Sequence, residues 1–474
     1  MASMLSGAPA DNRNRTAPRP EMVFLVLALI GGAVLVALFP PFQGDDESEH
    51  FYRAYALAEF QVLPQAQGEA IGNVLPVSLT AAVSNAALER LMFHPREKFG
   101  LADLRRTLAV PLQPETRAFC PMRAGAYPPA SYLPQAIPML LGRLAGARPL
   151  LLLYAGRLGN LACWMALVFL AIRIAPAFKW VFVLTALMPM PLALAASLSA
   201  DPVANACSWV LVAHALHLRS DRTDRVQRKD LLVWSALLAV LAWSKVGYAL
   251  LGLLFLLVPV RKFKPAVICI GSRSWTLSPG LVRVLVFAGL CAVPLALAGL
   301  WGALIGTVVP VTPAGWSAAA GTLLAHPLTF IQKALPCWLG YAMSLIGVLG
   351  WLDTRLPLLF YPVYALALLA TAALDGHESL QLPARSKLVP GVVAALILVM
   401  IEALRQLAMP LPGLIHHSKV VGRYLIPAVL PTLLLLYPGR ESRYRALLPR
   451  VLPVFLAGAL VVTLWRVLAR YYLP

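Results

Sequence analysis

Apolar residues come in long unbroken runs separated by short polar or basic loops, and this property limits the chain to very few architectures. Met22–Phe39, Leu150–Ile174, Trp180–Ser197, Val203–Leu218 and Val284–Val309 are such runs, and a helix needs about 20 apolar residues to cross a bilayer. A closed β-barrel reads instead as alternating segments of about 10 residues. Hydrocarbon offers backbone groups no water, and a helix satisfies its own. With 59% hydrophobic and 13% charged residues over 474 positions, the expectation is an all-α integral membrane protein. It is a polytopic bundle of about 11–13 transmembrane helices, one domain over 21–474, after a disordered cytoplasmic stretch over 1–20.

The net charge of +19 follows from topology rather than from a nucleic-acid partner. Its basic residues fall in short loops, Arg219 to Lys229, Arg261 to Lys264 and Arg440 to Arg450, where positive charge holds loops on the cytoplasmic side. The six cysteines form no C-x-x-C and no metal spacing, so the redox compartment is not readable from them. No P-loop, G-x-S-x-G, H-E-x-x-H or dinucleotide fingerprint occurs, which argues against ATPase, serine hydrolase and zinc protease chemistry.

The first helix, with Arg13, Arg15 and Arg19 ahead of it, is expected to start in the cytoplasm. A loop over 40–149 then lies outside and carries interfacial helices. Glu47–Phe60 reads as one, with Asp46 as cap and Glu49 three positions later as in a capping box. Pro76–Phe93 reads as another. Ala126–Gly142, rich in proline, is expected as an interfacial or re-entrant helix. Later apolar runs lie at 334–351, 357–374, 388–408, 424–437 and 451–468. Strict alternation of sides then fails by one crossing near Trp351–Arg355.

Just beyond the first run, Asp45, Asp46, Glu47 and Glu49 crowd together with His50 and Arg53. Capping a helix needs one or two acids, so four ask for another reason. The functional reading is a carboxylate at the membrane border that takes a proton from an acceptor hydroxyl. A divalent cation such as Mg or Mn is compatible with that chemistry, and the sequence requires none. His50 either orients the carboxylate, binds phosphate or is structural. Lys245, between two apolar runs, either snorkels to the interface or meets the phosphate of a lipid carrier. Arg423 and Tyr424 open a later helix beside His417 and Lys419, a cationic group suited to phosphate. Asp201, before Pro202, reads as a helix cap.

These motifs together resemble the DUF2142 family of predicted bacterial membrane proteins. The matching stretches are Pro40-Pro41-Phe42, Asp46-Glu47, His50-Phe51-Tyr52-Arg53-Ala54-Tyr55, Tyr127-Pro128-Pro129, Ser199-Ala200-Asp201-Pro202, Lys245-Val246-Gly247-Tyr248, Gly350-Trp351-Leu352-Asp353 and Gly422-Arg423-Tyr424-Leu425-Ile426-Pro427. The likeness covers about residues 22–468. That family is in turn similar to the C-type glycosyltransferases, polytopic enzymes that use polyprenyl-phosphate-linked sugars and carry an acidic motif in the first outer loop. The resemblance implies Asp46 as the catalytic carboxylate. Asp45 stands where the family usually has proline, so either aspartate could serve.

The implied function is transfer of a sugar from a lipid-linked donor to a glycan or lipid acceptor at the outer face of a bacterial inner membrane. Asp46, Asp45 and Glu47 are the candidate catalytic residues. His50, Arg53, Tyr127, Lys245, Lys419, Arg423 and Tyr424 are the candidate substrate and phosphate ligands. The rivals are a flippase for a lipid-linked glycan, for which Glu402 and Arg405 are the best buried ionisable candidates, and a non-catalytic assembly scaffold.

Overall fold

A computed structural model describes residues 18–221, 223–270, 273–308, 321, 325–334, 338–407 and 422–474. Lys419 and its neighbours His416 and His417, the residues 1–17, and most of 309–337 lie outside the described residues. The fold is mainly helical. Five helices are long and apolar enough to cross a membrane: Pro20–Leu38, Pro149–Ile174, Pro279–Gly306, Ala384–Ala403 and Arg445–Tyr471.

Polar contacts sort the ends of these and the shorter helices onto two opposite faces. At one, Arg157 donates to Phe39 O, Trp301 to Ala126 O, Trp351 to Phe42 O, and Arg470 pairs with Asp353. At the other, Glu21 pairs with Lys179, Asp375 with Arg445, Asp221 with Arg261, and Arg219 donates to Gln381 O and Leu257 O. Between them run eleven segments of alternating direction among the described residues: Pro20–Leu38, Pro149–Ile174, the pair Lys179–Ala186 and Pro189–Ala195, Asp201–Arg219, Arg228–Ser244, Val246–Leu257, Pro279–Gly306, Phe360–Leu374, Ala384–Leu407, Ile426–Leu436 and Leu448–Tyr471. Several differ from the unbroken helices expected. Pro189 divides the run 180–197 in two, Val246–Leu257 is a 3₁₀ helix, and Pro431 precedes a 3₁₀ turn at Leu434–Leu436.

The lost crossing is explained by the helix Trp338–Gly347. Tyr341 donates to Glu402 at one end of it and Ser344 accepts from Gly422 N, while Gly347 O accepts from Tyr361. Both ends therefore stay at the first face. A two-strand hairpin, Val348–Leu349 with Thr354–Arg355, turns through Gly350 at φ +62° and starts the next descent.

The first helix sits between the helices Pro149–Ile174 and Leu448–Tyr471. A Cβ at Gly31 would stand 2.5 Å from Leu460 and one at Gly32 2.7 Å from Leu161, so glycine permits the close approach. The loop 40–149 is not purely helical, contrary to expectation: strands Gln65–Gln67, Ala70–Pro76 and Arg117–Pro121 form an antiparallel sheet with Gly72 opposite Gln65 and Pro121. The predicted helix Pro76–Phe93 is divided into Val77–Asn85 and Leu88–Leu91, because Ala87 adopts φ +57° between them. Leu133–Leu144, overlapping the proline-rich 126–142 segment and running two residues beyond it, packs on the start of Pro149–Ile174. A Cβ at Gly159 would meet Pro134 O and one at Gly142 would meet Leu152, so the two helices run antiparallel. Its outward face carries exposed Leu133, Ile137, Leu141 and Leu144, the stripe of a helix lying in an interface.

Candidate functional site

At the first face, Asp45, Asp46, Asp201 and Tyr424 converge on Arg423. The glycine before it is required, since a Cβ at Gly422 would lie 2.2 Å from Ser344 Oγ and 2.3 Å from Tyr341 O. Packed that closely, the backbone directs Arg423 into the protein, where its side chain is 5% exposed. One terminal nitrogen donates to Asp45. The other donates to Asp46 Oδ2 at 3.0 Å and to the Tyr424 hydroxyl at 3.1 Å, and Nε lies 3.5 Å from Asp201 Oδ2. Lys245 Nζ completes the group, donating to Asp201 Oδ1 at 2.7 Å and sitting 3.2 Å from the centre of the Tyr424 ring. A cation over an aromatic face is held by the ring quadrupole.

Four remote segments of sequence thus meet within a few ångströms. Three carboxylates against two cations leave one formal negative charge. The carboxylates differ in access: Asp46 is 40% exposed, while Asp45 and Asp201 are 5% and 8% exposed. Asp46 is the edge of the cluster that a ligand can reach. Among the described residues, no group of three or more His, Cys, Asp or Glu has metal-holding geometry; these carboxylates face a guanidinium rather than a common point.

The backbone sets this up. Phe42 and Asp46 both adopt left-handed φ, at 64° and 57°, where a non-glycine side chain is strained unless its surroundings hold it. Asp46 precedes the helix Glu47–Ala58 but makes no side-chain cap, so its expected capping role is corrected: the carboxylate turns to Arg423 instead. Glu49, expected to close a capping box, accepts from Ala124 N at 3.1 Å.

Glu47 points elsewhere too. Its two oxygens accept from Arg157 Nε and a terminal nitrogen at 2.7 and 2.6 Å, from Leu198 N at 3.0 Å and from Gly44 N at 3.2 Å. Arg157 spends its remaining donors on Val36 O, Phe39 O and Pro40 O. Both side chains are fully buried. A carboxylate accepts about four hydrogen bonds, so Glu47 has no capacity left for a substrate. It locks the acidic loop onto the helix Pro149–Ile174. Arg53 likewise stays out of the cluster: it is buried and donates to Val62 O and Tyr127 O at 3.0 and 2.8 Å. By that contact it fixes Tyr127-Pro128-Pro129, with Tyr127 half-buried within electrostatic range of Asp46, Asp201, Arg423 and Tyr424.

His50, one helical turn after Asp46, lies 2.8 Å from the Tyr132 hydroxyl through Nδ1. Burial lowers its pKa to about 4, with Asp46 opposing that fall. An imidazole that resists protonation when folded but protonates near 6.5 when unfolded draws the chain toward unfolding as acid is added. The stability it contributes is complete above about pH 6.5 and lost as pH falls toward 4, by roughly 3 kcal/mol in all. His50→Gln should therefore flatten the loss of thermal stability between pH 7.5 and pH 5. An unchanged difference would place the imidazole in water.

Two members of the site escape a sequence reading. Asp201 reads as a helix cap because it precedes Pro202, yet it joins Lys245 to Arg423. Arg157 is hidden within an apolar run; an arginine there is itself a signal, because a charge at membrane depth needs a partner. The sequence does place Asp46, Lys245, Arg423 and Tyr424 in one site, and the structure brings those four together.

Comparison with curated proteins and with solved structures found no match. A family model described as "predicted membrane protein (DUF2142)" matches residues 29–431, a span that includes every member of the cluster. The chain therefore belongs to the DUF2142 family of predicted membrane proteins.

Proposed function

We propose that the chain is a membrane glycosyltransferase that moves a sugar from a polyprenyl-phosphate carrier to a cell-envelope glycan or lipid. The observation that carries the reading is the solvent-reachable Asp46 carboxylate, held by Arg423 beside Asp201 and Lys245. The acceptor hydroxyl attacks the anomeric carbon and the carbon–phosphate-oxygen bond breaks. The hydroxyl proton passes to Asp46, and the carrier phosphate leaves with the electron pair. Glycosyl transfer passes through an oxocarbenium-like state, so a cluster one negative charge in excess favours the developing positive charge on the sugar. The leaving phosphate gathers negative charge, and Lys245, 22% exposed, is the cation nearest to water for it.

Orientation follows from the basic loops 219–229, 261–264 and 440–450, which all lie at the face opposite the cluster. Short basic loops tend to stay cytoplasmic, which supports a reading in which the cluster faces the outer side of the membrane, the bacterial inner membrane in this proposal. The five helices long and apolar enough to cross then run between the two sides, with the shorter segments packed among them.

A flippase remains the second reading, favoured by Glu402, which is buried and accepts from Tyr341 at 2.6 Å. Arg405, its expected companion, has a side chain outside the described residues. Purified protein in proteoliposomes with a lipid-linked sugar and an acceptor separates the two. A transferase makes a new glycosidic linkage, whereas a flippase only changes the leaflet in which the donor is found.

A further inference from the structure

His50 lies on the first turn of the helix Glu47–Ala58, with Asp46, Asp201, Lys245 and Arg423 all within electrostatic range of its imidazole. Its Nδ1 is 2.8 Å from the hydroxyl of Tyr132, and the two rings are 5.7 Å apart. Tyr132 is wholly buried, and among the described residues His50 is the one hydrogen-bond partner of its hydroxyl. A phenol has a single hydrogen to donate, and leaving it unpaired inside a protein is costly. Burial raises the Tyr132 pKa well above its usual value, so the hydroxyl keeps that hydrogen and gives it to Nδ1. Burial also holds the imidazole neutral at neutral pH. A neutral imidazole carries one N–H, and with Nδ1 accepting, that proton sits on Nε2. Buried side-chain atoms without a partner include Arg53 Nε but not His50 Nε2. With no hydrogen bond of its own among the described residues, that nitrogen therefore opens to solvent.

Tyr132 is itself held from the cationic side of the cluster. It ends the short 3₁₀ turn Pro129–Tyr132, whose Ser131 Oγ lies 2.5 Å from Ser244 Oγ. Ser244 precedes Lys245, which pairs with Asp201. Pro128 and Pro129 restrict the backbone ahead of the turn, and Arg53 holds Tyr127 O. One stiff turn thus links the lysine side of the site to the histidine beside the acidic run. With its Nδ1 lone pair taken and its Nε2 protonated, His50 has no lone pair left to act as a base. What it offers is an uncharged N–H, which leaves the negative balance of the cluster unchanged and suits the oxygen of an uncharged sugar.

We infer that Tyr132 is a positioning residue that fixes His50 in the Nε2–H form, and that this N–H donates to a hydroxyl oxygen of the sugar substrate beside Asp46. The inference rests on the glycosyltransferase reading only for the ligand being a sugar. It leaves Asp46 as the base and gives His50 the task of holding the sugar against it.

The test uses the full-length protein in lipid nanodiscs with nitrogen-15-labelled histidine, His50 being identified by the signal lost in His50→Gln. At neutral pH the wild type should show an unprotonated Nδ1 and a protonated Nε2, and Tyr132→Phe should convert this to a mixture of both tautomers. In proteoliposomes with a polyprenyl-phosphate-linked sugar and an acceptor, Tyr132→Phe should lower kcat/KM about tenfold, the scale of one neutral hydrogen bond. His50→Gln, whose amide nitrogen falls near the Nε2 position, should keep about tenfold more transfer than His50→Asn, whose amide falls near Nδ1. A histidine that only fills space would not rank the two this way. Tyr132→Phe protein that keeps both the wild-type tautomer and the wild-type kcat/KM, or equal losses in His50→Gln and His50→Asn, overturns the proposal. The nitrogen signal needs no turnover, so the two readings fail separately. Transfer by a wild type whose His50 carries its proton on Nδ1 overturns this inference and leaves the transferase reading. A wild type that holds the Nε2–H form, loses it in Tyr132→Phe and makes no glycosidic product upholds the role of Tyr132 and removes the transferase reading.

Discussion

Arg423→Leu is expected to abolish transfer and to lower the apparent melting temperature of the detergent-solubilised protein. Asp45 and Asp201 are almost wholly buried and both face that guanidinium. Removing one partner of a buried ion pair typically costs about 3–5 kcal/mol, because the other charge stays out of water unpaired. Lys245 still serves Asp201, whereas Asp45 loses the guanidinium that donates to it. Arg423→Lys isolates geometry from charge. An ammonium is a point charge and cannot span three carboxylates as a planar fork does. The lysine variant should recover part of the stability yet lose about 100-fold or more in transfer, the scale of removing one preorganised group at a site of developing charge. Wild-type turnover in Arg423→Lys would mean that the fork is not what places Asp46.

The second large effect is expected at Glu47 and Arg157. Glu47→Gln leaves a fully buried guanidinium without its counter-charge, and about 3–5 kcal/mol of stability should go with it. The double variant Glu47→Leu, Arg157→Met should be damaged less than the sum of the single ones. Groups in direct contact commonly couple by about 0.5–3 kcal/mol. The carbonyls of Val36, Phe39 and Pro40 lose their donor in the double variant, so recovery stays incomplete. Whatever Glu47→Gln protein survives should transfer sugar, molecule for molecule, within a few-fold of wild type. A stable, well-behaved Glu47→Gln protein with no transfer would return Glu47 to the chemistry.

These two pairs mark where the sequence is readable and where it is not. Spanning runs and basic loops follow from hydrophobicity and charge, which need no partner to be visible, and so the two-faced helical plan is legible. The apolar run 334–351 looks like a crossing because length and apolarity cannot tell a segment that spans from one that turns back through Gly350. The sheet in the outer loop depends on pairing between Ala70–Pro76 and Arg117–Pro121, strands far apart in sequence. Within the site, an acidic run is conspicuous, but its division of labour is not. Asp46 and Glu47 are neighbours, yet the left-handed backbone at Asp46 sends one carboxylate to Arg423 and the other to Arg157. Asp201 is hidden by its own proline, since a cap and an ion-pair partner look alike before tertiary contacts exist.

The most direct measurement is the rate at which purified Asp46→Asn protein, in proteoliposomes, moves sugar from a polyprenyl-phosphate donor onto an acceptor. Asparagine keeps the size and can still accept a hydrogen bond from Arg423, but it cannot take up the acceptor's proton. The expected result is no new glycosidic product from a variant as stable as wild type. Product formed at the wild-type rate would contradict the account.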